Sequence, residues 1–250
     1  MSMNNPNVTD NWYTTAFDSL YPVVYAHRTV EAAAPEAAFA QACVRLGPSD
    51  RVLDLACGSG RHLVHLLKAT PHAVGLDYSP DLLRLARREL GPGIALIRGD
   101  MRRLPFRSAF DCITNFFTSF GYFTEEAENL AAAQQIAAAL RTGGRFFIDH
   151  ACLDHVLATL VPQSQRKHQA FVITEERWID AGMRVNKVTR VSRQGKSVTE
   201  YQESVQLYTP EGLRNLLQRA GLVVDACYGD YDGSSVDPGR PRMIIVGHKE

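Results

Sequence analysis

The 250-residue chain has no excess of either charge, since 27 Lys and Arg stand against 27 Asp and Glu. That balance removes the global positive field that supplies most non-specific nucleic-acid affinity, so a nucleic-acid partner is disfavoured. Two local basic stretches remain, one of Arg98, Arg102, Arg103 and Arg107 and one of Arg84, Arg87 and Arg88. The second reads as the solvated face of a helix. No apolar run approaches the length needed to cross a bilayer. With no Lys or Arg before Arg28 and no continuous apolar region near the start, no secretory signal is expected, and a soluble cytoplasmic protein is. The five cysteines at 43, 57, 112, 152 and 227 show neither a Cys-x-x-Cys pair nor metal-like spacing, and they read as free buried thiols. There is no internal repeat, and the only low-complexity patches are alanine-rich helical ones.

What the chain does have is a regular alternation of strand and helix signals. Strands are expected at 51–55, 73–77, 94–98, 110–116 and 145–150, with helices from about 60 to 69, after Ser79-Pro80-Asp81, and from Glu125 to Leu140. Ser79 can cap the free N–H groups of its helix, and Pro80 suits the first helical position. Five such alternations imply a parallel sheet with helices on both faces. From about 160 to 208 β-branched and aromatic residues dominate, and turn signals at Asp180-Ala-Gly182 and Gln194-Gly195 predict three antiparallel strands at roughly 170–179, 184–192 and 197–207. A helix at 210–220 and strands at 222–228 and 242–248 close the chain, the last two as a hairpin with one antiparallel strand. The expected organisation is a helical cap over 1–46, an α/β core over 47–160, an antiparallel insertion over 161–208 that caps a substrate or makes a dimer contact, and a closing helix and hairpin over 209–250. Residues 1–10 are polar and expected to be mobile. Trp12 to Tyr25 sets Phe17, Tyr21 and Tyr25 on one helical stripe, and Ala32 to Leu46 predicts a second helix.

The first strand runs straight into Asp54-Leu-Ala-Cys-Gly-Ser-Gly60. Gly58 and Gly60 let the backbone turn tightly and approach a ligand, and Asp54 stands at the carboxyl end of the strand, where open α/β sheets bind ligands. A dinucleotide fingerprint needs a third glycine at 63, where this chain has Leu63, and Asp54 would repel a pyrophosphate. The turn suits a cationic cofactor without phosphate, and S-adenosylmethionine carries both an ammonium and a sulfonium. The second strand ends in Asp77, 77 − 54 = 23 positions later, the distance of an acid that bonds ribose hydroxyls. The third ends at Gly99-Asp100-Met101. Any one of these acids could cap a helix or turn; three at successive strand ends point to one ligand.

Together these motifs resemble the class I S-adenosylmethionine-dependent methyltransferases, with a Rossmann-like, mostly parallel seven-stranded sheet. The resemblance implies that Ala56, Tyr78 and Asn115 join Asp54, Gly58, Gly60 and Asp77 in the cofactor site. It also implies that Asp100 binds the adenine amino group beside Met101, and that Tyr13 or Tyr21 closes over the cofactor carboxylate. Leu140-Arg-Thr-Gly-Gly-Arg-Phe-Phe-Ile-Asp149 is similar to the family's junction into the fifth strand. The segment Phe116-Phe-Thr-Ser-Phe-Gly-Tyr-Phe123 resembles the substrate loop of small-molecule N-methyltransferases acting on amino sugars. Because this segment and the insertion both leave the carboxyl edge of the sheet, Phe117, Ser119 and Tyr122 are expected to form one wall of an acceptor pocket and the insertion the other. Where some of those enzymes carry a histidine base this chain has Tyr122, a poor base at neutral pH whose expected role is orientation. His150 and His27 are the other candidates for proton acceptor.

No Asn-Pro-Pro-Tyr follows the fourth strand, which disfavours DNA bases, and Asn115 stands where catechol-type enzymes carry a metal-binding aspartate, so no metal is expected. The expectation is methyl transfer to a nitrogen or oxygen of a small metabolite. The alternatives are a nicotinamide-dependent oxidoreductase, a non-catalytic S-adenosylmethionine-binding protein, and an RNA methyltransferase.

Overall fold

In the computed structural model, which describes residues 8–250, strand and helix signals turn into elements largely where the apolar periodicity puts them. In chain order these are α1 (Tyr21–Val24), α2 (Val30–Cys43), β1 (Val52–Leu55), α3 (Leu63–Ala69), β2 (Ala73–Asp77), α4 (Pro80–Leu90), β3 (Leu96–Arg98), β4 (Phe110–Asn115), α5 (Glu126–Ala139) and β5 (Leu140–Ala151). There follow α6 (Leu153–Thr159), β6 (Gln163–His168), β7 (Phe171–Ile179), β8 (Arg184–Arg193), β9 (Lys196–Gln206), α7 (Pro210–Arg219), β10 (Leu222–Tyr228) and β11 (Arg242–Lys249). Local chemistry sets the helix starts. The Ser79 hydroxyl accepts from Leu82 N with Pro80 at the first position of α4, and Thr209 with Pro210 repeats the arrangement at α7.

The main sheet has seven strands in the order β10-β11-β5-β4-β1-β2-β3. All neighbours from β5 to β3 are parallel, and β11 runs antiparallel to both β5 and β10. Because the chain steps outward from β1 to β3 and then returns to β4 on the other side, the strand order reverses between β1 and β4. A crevice opens at such a reversal, outside the carboxyl ends of the strands. The sheet is packed on both faces, with Leu53, Leu55, Ile113 and Ile148 in one cluster and Val52, Cys112, Phe147 and Ile244 in the other.

Residues 163–206 form a separate four-stranded antiparallel sheet, β6-β7-β8-β9. The expected three strands match β7, β8 and β9 to within a residue at each end, and β6 is an addition. Gln163–His168 is wholly polar and has no apolar alternation to announce it, yet it pairs along β7 from Gln163↔Glu176 to His168↔Phe171.

The N-terminal segment also departs from expectation. In place of one aromatic helix there is a 3-10 turn over Trp12–Thr14, an irregular stretch and the single turn α1, whose Pro22 stands near its start. The aromatic residues still cluster, because Val24 and Tyr25 pack on Ile173, Val191 and Tyr201 of the insertion. Of the stretch expected to be mobile, residues 1–7 lie outside the described residues, while Val8 packs against the main core. Cys57, Cys112 and Cys152 are buried and Cys43 and Cys227 only partly so, all five without a disulfide. Among the described residues no helix is long and apolar enough to cross a membrane.

Candidate active site

A cavity of about 730 Å³ sits over the crevice. Its floor is made by the residues that leave the strand ends: Ala56 to Ser59 after β1, Asp77 and Tyr78 at β2, Gly99 to Met101 after β3, and Phe116 to Ser119 after β4. Its roof comes from the N-terminal segment, through Tyr13, Phe17, Tyr21 and Arg28, and from Val185, Lys187, Glu203 and Val205 of the insertion. Phe117, Ser119 and Tyr122 therefore share one cavity with the insertion sheet. Among the described residues there is no cluster of His, Cys, Asp or Glu able to hold a metal ion.

The three acids differ in setting. Gly58, held at φ +56°, donates its N–H to Asp77 Oδ2 at 2.8 Å, and Ser79 N donates to Oδ1 at 2.8 Å. Burial raises the Asp77 carboxyl against these N–H groups. Asp100 is gripped by Arg102, whose Nε lies 3.1 Å from both oxygens, and Arg102 Nη2 reaches on to the Tyr13 hydroxyl at 3.0 Å. That clamp ties the cap to the tip of β3 and holds Asp100 below the usual carboxylate range despite its burial.

Asp54 lies behind the lining. It is 1 % exposed, accepts from Thr114 Oγ1 at 3.1 Å on Oδ1, and leaves Oδ2 without a partner. Burial pushes this carboxyl up to about 7. Because the folded value of about 7 exceeds that of an unfolded aspartate near 4, the cost of ionising it is absent below about pH 4, builds as pH rises from 4 toward 7 and is complete above 7. Asp54→Asn is therefore expected to raise the melting temperature at pH 8 by roughly 5 °C, from a relief of about 2 kcal/mol, with the difference closing below about pH 4. Melting curves at the two pH values check the sign.

Other expected site residues also stand back from the cavity. Gly60 packs on α4, where a Cβ would meet Leu90 Cδ1 at 3.0 Å. Asn115 is fully buried and donates to Leu55 O at 2.8 Å, tying β4 to β1. His150 is fully buried on β5, with Nδ1 2.9 Å from Ala151 O and Nε2 3.1 Å from Gln206 O. Burial pushes its imidazolium down to about 4, and neither ring nitrogen faces the cavity lining. His27 is exposed and also outside the lining. Tyr13, Tyr21, Ala56, Gly58, Asp77, Tyr78, Asp100 and Met101 all line it. Tyr122 does too, stacked on Phe17 at 6.0 Å and close to Trp12 at 4.6 Å, and burial raises its phenol far above its ordinary value.

Sequence reasoning missed the arginines and their anchors. Arg28, Arg61 and Arg242 approach the Phe117 ring at 4.4, 4.6 and 5.0 Å. Arg61 pairs with Glu36 and Arg242 with Asp149, while Arg28 donates to the Tyr21 hydroxyl at 2.9 Å and has no ion-pair partner among the described residues. Arg28 Nε and Arg61 Nη2 are buried donors without partners. Asp149, at the end of β5, accepts from Phe117 N at 2.7 Å, the Tyr231 hydroxyl at 2.6 Å and Arg242 Nε at 2.6 Å.

Comparison with known proteins fits this geometry. Residues 52–144 match a family described as a methyltransferase domain. By that match the chain carries a methyltransferase domain over these residues. It is 28 % identical over 207 residues, 76 % of each chain, to a dTDP-3-amino-3,6-dideoxy-alpha-D-glucopyranose N,N-dimethyltransferase of Streptomyces fradiae. A cypemycin N-terminal methyltransferase of a Streptomyces species is 28 % identical over 205 residues, 78 % of this chain and 81 % of that one. The solved structure of the sugar N-methyltransferase KedS8 from a Streptoalloteichus species superposes with a TM-score of 0.73 at 22 % identity, covering 100 % of this chain and 99 % of that one. The cavity suits S-adenosylmethionine, the cofactor that the strand-end motifs imply. Two unpartnered buried guanidinium donors can meet a carboxylate, and two acids at strand ends can meet hydroxyl and amino groups.

Proposed function

We propose that this methyltransferase moves a methyl group to the amino nitrogen of a small metabolite of the amino-sugar kind. The observation that carries the reading is a single cavity running from the strand-end acids to the polar inner face of the insertion, in a chain similar over three quarters of its length to a sugar N,N-dimethyltransferase. Bound S-adenosylmethionine supplies an electrophilic methyl on a sulfonium. Asp77 would accept the ribose hydroxyls, Asp100 and Met101 would hold the adenine, and Arg28, Arg61, Tyr13 and Tyr21 would take the amino-acid end. Asp54, Gly60 and Asn115 would act from behind, by shaping the turn and the strand ends.

The chain's own contribution is then positioning and exclusion of water, since in-line displacement needs little else. Residues 1–46 cap the cofactor, 47–160 hold it, 161–208 roof the acceptor, and 209–250 complete the sheet. With the inner face of the insertion committed to the cavity, a homodimer would use its outer face, which size-exclusion chromatography tests. We assign the enzyme to the cytoplasm, where activated metabolites and the cofactor are made. The arginines behind the RNA reading are largely spent within the fold: Arg87 on the carbonyls of Gly91, Pro92 and Ile94, and Arg102 on Asp100 and Glu128.

Incubating the purified protein with S-adenosylmethionine and parallel panels of amines, hydroxyl compounds and peptides, with mass detection of a methyl gain, tests the proposal. Gain on amines supports it; gain on hydroxyl compounds alone removes it. Tyr122, kept as a phenol by its burial, would orient the acceptor by a hydrogen bond. Tyr122→Phe is expected to lower kcat/KM for the acceptor by about 3- to 10-fold, the worth of one neutral hydrogen bond, with cofactor affinity unchanged. Loss of cofactor binding with acceptor kinetics intact would move Tyr122 into the cofactor site.

A further inference from the structure

The inner face of the insertion carries two cross-strand rungs that reach the cavity. Val185 pairs with Val205, and two residues along, Lys187 pairs with Glu203 on one side and with Arg177 on the other. All five line the cavity. Arg177 is held by Glu175 and by Ser164 Oγ, so its charge is met outside the space a ligand would fill. Among the described residues Glu203 is bound on one oxygen only. Lys187 Nζ lies 2.7 Å from Oε1, and the Tyr25 hydroxyl donates to the same atom, so both partners leave Oε2 to the cavity.

The other carboxylates and the histidine of the lining are already engaged. Among the described residues three carboxylates line the cavity: Asp77 holds two backbone N–H groups, Asp100 holds Arg102, and Glu203 keeps one oxygen free. His62 lines it as well, but its Nε2 is 2.6 Å from Glu36, its ring is stacked on Phe116 at 3.9 Å, and burial pushes its imidazolium down to about 4. Glu203 faces Lys187 from β8, Tyr25, Arg28 and Tyr21 from the N-terminal segment, and Tyr122 from the loop after β4. Its neighbourhood thus joins both walls of the proposed acceptor pocket.

We infer that Glu203 is the residue that anchors the acceptor amine and removes its proton. The inference rests on the reading of nitrogen as acceptor. An amine enters as its ammonium ion and donates to Oε2. One N–H proton passes to that oxygen, which frees the lone pair. The lone pair forms the new N–C bond as the C–S bond breaks, its electron pair remaining on sulfur, and the proton then leaves Glu203 for water. The Lys187 and Tyr25 contacts fix the carboxylate so that Oε2 is presented without a rotamer search. A hydroxyl acceptor gains little from such a group, because a carboxylate is far too weak a base to remove an alcohol proton beforehand.

Two arms separate failure of the inference from failure of the reading beneath it. With wild-type enzyme, methyl gain on hydroxyl compounds and none on amines would overturn both. With the best amine in hand, Glu203→Gln is expected to lower kcat/KM at least tenfold at pH 7 while the dissociation constant for S-adenosylmethionine, measured by titration calorimetry, stays within twofold. The deficit should shrink as pH rises toward the amine's own pKa, where free amine no longer needs the enzyme's base, and Glu203→Asp should recover part of the rate. Lys187→Met should not reproduce that pH-dependent deficit. A Glu203→Gln rate within twofold of wild type would overturn the inference. So would a pH-independent deficit that Lys187→Met matches, because the carboxylate would then serve only its ion pair.

Discussion

Asp149→Ala is expected to produce the largest combined loss of stability and turnover of any single substitution in this protein. The carboxylate is 0 % exposed and meets Arg242, the Tyr231 hydroxyl and the Phe117 amide at once. Removing it leaves the Arg242 cation buried without its partner, which costs about 3–5 kcal/mol and corresponds to a melting temperature lower by roughly 10 °C. The effect on activity has a separate cause. Phe117 and Thr118 are held at φ +60° and +62°, a conformation that side-chain-bearing residues adopt only when their surroundings impose it. The impositions are Asp149 Oδ2 on the Phe117 amide, Asp149 O on the Thr118 amide at 2.8 Å, and Arg242 Nη2 on Thr118 Oγ1 at 3.1 Å. Without the carboxylate the loop relaxes and Phe117 leaves the three guanidinium groups around it. Methyl transfer should fall at least a hundredfold in the fraction that still folds, as circular dichroism and a turnover assay at 10 °C would show. A variant with wild-type melting and turnover would remove Asp149 from its position as organiser of the loop.

The contrast between Asp149 and Asp77 shows which parts of the site could be read in the chain. Asp54, Asp77 and Asp100 were legible because each closes a short apolar strand, so local pattern and chain spacing carry the information. Asp149 closes a strand in the same way, but its meaning depends on Arg242, 93 positions further on, and no local pattern announces that pair. Glu203 and Lys187 were hidden for a related reason: their partnership follows from the register of β8 on β9, which alternation alone leaves open by two residues. Arg28 was noticed only as the first basic residue of the chain, and its role required knowing that the segment before it folds over the crevice.

The fold was more readable than the site, and its misses have physical causes. The capped helices and buried strands appeared where expected, since Ser79-Pro80 and Thr209-Pro210 act within a few residues. The polar strand β6 was invisible, and so was α6, which has no buried residue. Leu63 argued correctly against a pyrophosphate turn, and the structure shows how the packing is solved without a glycine there. Gly75 on β2 supplies the room instead, because a Cβ at that position would lie 2.7 Å from Leu63 Cδ2.

Asp77→Ala is expected to weaken S-adenosylmethionine binding about a hundredfold while disturbing the fold much less. Two losses add in the binding term. The ribose hydroxyls lose a charged acceptor worth roughly 1.5–3 kcal/mol, and the Gly58 amide loses the oxygen that fixes the turn beneath the cofactor. The stability term partly cancels. Burial raises the Asp77 carboxyl, so above that raised value the folded protein carries an ionised group it would more readily hold protonated, and removing the group offsets some of the lost N–H contacts. A stability cost of this kind is what a ligand-binding group is expected to show. Asp77→Asn should fall between wild type and alanine, since its amide oxygen can keep one of the two N–H bonds while its NH₂ group opposes the other. Titration calorimetry with the three proteins, beside their melting curves, checks the order. A folded alanine variant that binds within threefold of wild type would take Asp77 out of the cofactor site.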